Sequence, residues 1–187
     1  MVVVLALLPA ALATPWTLEA SGAFVGVGFA PSANGAGVSA AGLATLAGTD
    51  RAALALGPRL DVDHTALLGT WLAASSALEG RFRPVQPLVV DLRLSLGLQQ
   101  AFPAGPAWTF DGPSPDPARR YAAPAGRVAL AAGVGVDLLA GPVRLRPMLR
   151  YEQALFVGFA PRAGLPLMAS ARVMLGLAID LPVRSGE

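Results

Sequence analysis

The sequence predicts an all-β chain, an eight-stranded antiparallel up-and-down transmembrane β-barrel. Three observations lead there. Apolar and non-apolar residues alternate with a period of two, which makes strands with two unlike faces. In the stretch RAALALGPRLDVD, Arg51, Ala53, Ala55, Gly57, Arg59, Asp61 and Asp63 share one parity, and Ala52, Leu54, Leu56, Pro58, Leu60 and Val62 share the other. Such stretches are also long. A soluble strand averages ~5–6 residues, whereas a tilted strand crossing a bilayer needs ~9–11, and these run to about 10–15. Finally, the 187 residues are 54% hydrophobic but only 14% charged, where a soluble domain carries ~25% charged residues.

The first strand is expected over about Thr17–Phe29, and the second, Ala/Gly-rich and weakly specified, over Val38–Ala47. The third, Arg51–Val62, is the stretch above. In the fourth, Thr65–Ala77, Trp71 and Leu72 are neighbours, so either parity could face inward. In the fifth, Pro87–Gln99, Asp91, Arg93, Ser95, Gly97 and Gln99 alternate with Leu and Val. The sixth, Gly126–Leu139, sets Arg127, Gly133, Gly135 and Asp137 against Val and Leu. The seventh, Val143–Phe156, carries Arg144, Arg146 and Arg150 at even spacing. The eighth, Leu167–Val183, sets Arg172 and Asp180 against an apolar face. Gly48-Thr49-Asp50 and Ala140-Gly141-Pro142 read as tight hairpin turns. The alternate connections include Ala30–Gly37 and the long Gln100–Ala125. Short turns on one side and long loops on the other suit a barrel with both termini periplasmic. The fourth-to-fifth connection, Leu78–Gln86, is longer than that rule expects.

A soluble barrel would place its apolar face inside and need a densely charged exterior. Here the polar face is sparse and diluted with Gly, Ala and Ser, which suits a narrow lumen, while the uniform Leu/Val face suits lipid. No window resembles a spanning helix; the best, from Val128, contains Asp137 and is broken by Gly and Pro. Residues 1–13 (MVVVLALLPAALA) read as a secretory signal, with Ala11-Leu12-Ala13 as a small-x-small cleavage site and the barrel occupying 14–187. All 14 basic residues are Arg, net charge is +2, and no cluster is dense enough for nucleic acid. With no Cys and one His, neither a metal site nor a cofactor is expected, and no catalytic residue is assigned. Gly26, Gly28, Gly133 and Gly135 sit inside strands and form no nucleotide fingerprint.

Signal segment, eight alternating strands and loop asymmetry together resemble the small OmpA/OmpX-type outer-membrane barrels over roughly Thr17 to Val183. The resemblance implies a protein of the bacterial cell outer membrane, in contact with its lipid and lipopolysaccharide. The chain departs from the pattern in ending LPVRSGE without a terminal aromatic residue. Trp16, Phe29, Trp71, Phe102, Tyr151 and Phe156 are its candidate interface girdle.

Twelve charged residues are expected in the lumen: Glu19, Arg59, Asp91, Arg93, Arg127, Asp137, Arg144, Arg146, Arg150, Glu152, Arg172 and Asp180. An eight-strand barrel is just wide enough for side chains to fill it, and buried charges must pair. A structural salt-bridge plug is expected, with a gated pore or anion path as the alternative. Asp61-Val62-Asp63-His64 offers two further readings, a cation site at Asp61 and Asp63 or an acid/His pair. Outer-membrane lipid A deacylases have a similar architecture, but their His-x-Ser pairing is absent here: the run is His64-Thr65-Ala66. Trp108, Phe110, Arg119, Arg120 and Tyr121 of the long loop are candidate contacts for lipopolysaccharide phosphate, a surface polysaccharide or an envelope protein. The expected role is structural or in surface interaction through those loops; the alternatives are a small-solute channel or a lipid-modifying enzyme.

Overall fold

A computed structural model describes residues 15–27, 34–65, 69–102, 108–109, 112–113, 125–140, 143–157 and 167–181. The expected signal segment, 1–13, lies outside them. Eight long strands form one antiparallel sheet: β1 Trp16–Val27, β2 Gly35–Gly48, β3 Ala52–Thr65, β4 Gly69–Phe82, β5 Leu88–Phe102, β6 Ala125–Val136, β7 Val143–Val157 and β8 Leu167–Leu181. After Asp137, β6 resumes as Leu138–Ala140 against β7. Each strand pairs with its sequence neighbours, and β1 pairs with β8 from Trp16↔Leu181 to Val27↔Ser170, which closes the ring. Closure leaves no edge, so the strand backbones are paired among themselves, as a lipid environment demands. The eight-stranded antiparallel barrel expected from the alternation is the fold observed.

The faces divide sharply. On the outside stand Leu60, Leu92, Leu98, Leu130 and Leu175, each more than half exposed. On the inside stand Arg59, Glu79, Glu152 and Arg172, each essentially inaccessible. A water-soluble protein does not leave a continuous Leu/Val surface of this extent open; a bilayer covers it at no cost.

Three expectations need correction. The fourth strand does not begin at Thr65, which closes β3, and it does not stop at Ala77. It runs through Phe82, because Glu79 and Arg81 continue the inward parity of Trp71, Ala73 and Ala77. The connection to β5 is therefore only Arg83–Pro87, held by Leu88 N donating to the Val85 carbonyl at 2.7 Å. The anomalous long turn disappears. Trp71 is not a girdle residue: it is 4% exposed and faces the lumen. Trp16 and Tyr151 do face outward, joined there by Phe24 and Phe82. Phe29 and the side chains of Phe102 and Phe156 lie outside the described residues. In β2, Ser39, Ala41 and Leu43 point inward until an irregularity between Thr45 and Ala47 shifts the register.

If the Leu face meets lipid, a charge there is costly. Leu130→Arg, at the middle of β6, should lower the free energy of folding into lipid vesicles by ~2–4 kcal/mol. A water-exposed position would change by no more than ~0.5 kcal/mol.

Candidate functional site

The inward parity of eight strands converges on one narrow lumen, where each buried charge needs a partner on its own strand or another. The partners sort into two stacked cages and a mouth cluster. In the cage farther from the short turns, Asp61 and Glu152 share the same three arginines. Asp61 Oδ1 accepts from Arg59 Nη2 at 2.8 Å and Arg172 Nη1 at 2.7 Å, and its Oδ2 accepts from Arg127 Nη1 at 2.9 Å. Glu152 Oε1 accepts from Arg127 Nη2 at 2.6 Å and Arg172 Nη1 at 3.2 Å, and Glu152 also takes a bond from Arg59. Asp63 stands 3.0 Å from Arg172 Nη2. Three arginines meet three carboxylates.

The second cage repeats the arrangement. Glu79 accepts from Arg81, Arg93 and Arg150. Glu19 accepts from Arg93 at 2.5 Å and Arg150 at 3.2 Å, and lies 4.0 Å from Arg81. Asp91 takes Arg150 Nε at 2.7 Å. Three arginines again meet three carboxylates.

Small residues make these contacts possible. Gly133 is the register partner of Asp91 on one side and of Arg150 on the other. A Cβ on Gly133 would fall 2.6 Å from the Asp91 carboxylate, so only glycine lets Arg150 reach across β6. Ala131 stands in the same way between Arg93 and Glu152.

At the short-turn mouth, Arg146 bridges Asp137 Oδ1 at 2.7 Å and Asp180 Oδ2 at 2.8 Å, and Arg83 donates to Asp137 Oδ2 at 2.9 Å. Asp180 also accepts from the Thr17 hydroxyl at 2.6 Å.

Of the twelve charges expected in the lumen, Glu19, Arg59, Asp91, Arg93, Arg127, Arg146, Arg150, Glu152 and Arg172 are buried there. Asp137 and Asp180 sit at the mouth. Arg144 does not point into the closed lumen; its side chain is 40% exposed and 3.5 Å from Asp137. It stands at the last ladder position, where the wall ends. Asp61, Asp63, Glu79 and Arg81 belong to the cages and were not among the twelve. Glu79 and Arg81 carried a usable signal: each lies opposite a counter-charge, Arg93 and Asp91, on β5.

The Asp61–His64 run does not form an acid/His pair. Successive strand residues face opposite sides, so Asp61 and Asp63 point inward while His64 stands exposed on the outer face. There His64 Nδ1 lies 3.0 Å from Thr70 Oγ1, either atom donating according to the ring tautomer. Asp61, saturated by three arginines, has no vacancy for a cation. Phe110, Arg119, Arg120, Tyr121 and the side chain of Trp108 lie outside the described residues. Among the described residues no group of carboxylates, His or Cys is placed to hold a metal.

No protein-family model matches the chain, and no curated protein matches it by sequence. Solved structures match it by fold. The chain is similar to Neisserial surface protein A, with a TM-score of 0.57 and 14% identity over 89% of this chain and 97% of that one. It is similar to the outer membrane enzyme PagL, with a TM-score of 0.51 and 10% identity over 88% and 99% of the two chains. It is also similar to Ail, the attachment invasion locus protein of Yersinia pestis, with a TM-score of 0.51 and 13% identity over 90% and 99%. The fold is that of the small outer-membrane β-barrels.

Removing one member of a cage leaves buried charge uncompensated. Glu152→Gln should cost ~3–5 kcal/mol in urea unfolding from lipid vesicles. Pairing it with Arg127→Gln should recover part of that loss.

Proposed function

We propose that this chain is an integral barrel of the bacterial outer membrane whose lumen is closed by paired charge, and that it serves as a rigid platform for its external loops. The two neutral cages carry this reading. They set three arginines against three carboxylates at each of two levels, joined by many charge-assisted hydrogen bonds. A through-going path would have to break several charge-assisted bonds, each stronger than a neutral one. Residues 1–13 would direct export and be removed. The long loop with Trp108, Phe110, Arg119, Arg120 and Tyr121 would then be the working surface, toward lipopolysaccharide phosphate, a polysaccharide or an envelope protein. Fold likeness to proteins named for the cell surface and for attachment supports that direction. In planar bilayers the purified barrel should give no discrete current steps; steady, single-sized steps would instead support a small-solute channel.

A second reading is an enzyme acting on membrane lipid. It rests on the His64–Thr70 pair, a base beside a hydroxyl on the lipid-facing side of the rim. Mass spectra of envelope lipids would decide it. On this reading, a modification that appears with the wild-type protein is lost with His64→Ala. On the platform reading, the two spectra are the same.

A further inference from the structure

The short-turn mouth holds an open cleft of about 620 Å³, within the ~300–1,000 Å³ of ligand sites. Its lining changes character across the rim. Arg81, Arg83 and Arg144 line the inner side, with Leu139 beside Arg144; Trp16, Leu46 and Leu181 line the outer. Trp16 and Leu181 are register partners on the lipid face. Leu139 is the register partner of Arg144. At 80% exposed, it is the most exposed large apolar side chain among the described residues. An apolar group and a cation thus stand uncovered side by side.

Charge accounts for the other half of the site. Among the described residues, Arg83, Arg144 and Arg146 at the mouth face Asp137 and Asp180. Both Asp137 oxygens are taken, by Arg146 and Arg83. Both Asp180 oxygens are taken, by Thr17 and Arg146. Arg144 is left with a 3.5 Å approach to Asp137. Asp50 lies at the cavity lip. Among the described mouth arginines Arg144 is thus the most loosely held, in a mouth ringed by apolar wall where fields are poorly screened.

We propose that this cavity binds the phosphate of an anionic phospholipid from the leaflet that meets the short turns, with the phosphate on Arg144 and Arg83 and acyl chain along Trp16, Leu46 and Leu181. A phosphodiester headgroup supplies a closer anionic partner for Arg144 than the 3.5 Å approach of Asp137. Its tail supplies the cover that Leu46 and Leu139 lack. Free phosphate has the same anion chemistry but would leave those leucines in water.

The test uses the refolded protein in alkyl maltoside micelles, which contain no phosphate. Backbone amide shifts at Thr45, Gly48, Thr49 and Leu139 are titrated with dihexanoyl phosphatidylglycerol, inorganic phosphate and dihexanoylglycerol. Phosphatidylglycerol should give saturable shifts, and the uncharged glyceride should not. Arg144→Gln should weaken phosphatidylglycerol binding about tenfold or more, while the variant still migrates as a folded barrel on unboiled gels. Inorganic phosphate binding as tightly as the lipid would overturn the lipid assignment in favour of a free anion. Absence of saturation, or equal affinity in Arg144→Gln, would overturn the site.

Discussion

Every part of this fold answers to the pairing of arginine with carboxylate inside a narrow barrel lumen. An ion taken out of water costs several kcal/mol unless its partners restore the lost hydrogen bonds. The chain meets that demand by giving two acids the same three arginines, and it does so twice along the barrel axis. The planar fork of Arg can bond two acids at once, which the point charge of Lys does less well. That all 14 basic residues are Arg is consistent with this geometry. The small residues follow from the same constraint. Glycine or alanine between a donor strand and an acceptor strand lets a long side chain cross over, as Gly133 does between Asp91 and Arg150.

The outer face is set by the opposite requirement. With most charged side chains inside, the strands present mainly Leu, Val, Phe and Ala outward, and such a surface is stable only in lipid. The two faces therefore specify register jointly. A slip of one residue would expose arginines to hydrocarbon and bury leucines among ions. This penalty pins strands such as β2, whose own composition says little.

The third, fifth, sixth and eighth strands were legible because their alternation is strict and their two faces differ in charge. The second and fourth were not. Ala, Gly and Ser fit either face, and adjacent Trp71 and Leu72 give contradictory signals that only the ring resolves. The run Gly80–Pro84 looks like a turn in isolation, which hid Glu79 and Arg81. Their counter-charges on β5 become visible only once the hairpin is registered. Asp61 was misread for a different reason: its neighbours in sequence, Asp63 and His64, suggested a local site, whereas the period of two separates His64 from both acids. The cages themselves were beyond sequence reasoning. Arg59 and Glu152 are 93 residues apart, and they meet only because β1 closes on β8.

The central claim is that lumen charges are energetically coupled rather than merely adjacent. A double-mutant cycle on Glu79 and Arg93, each changed to Gln and followed by reversible folding into lipid vesicles, tests it most directly. Coupling of ~1–3 kcal/mol is the result this account predicts for a buried, shared network. Additivity within ~0.5 kcal/mol would mean that each charge is stabilised independently, by penetrating water for instance, and would contradict the paired-charge account of the barrel.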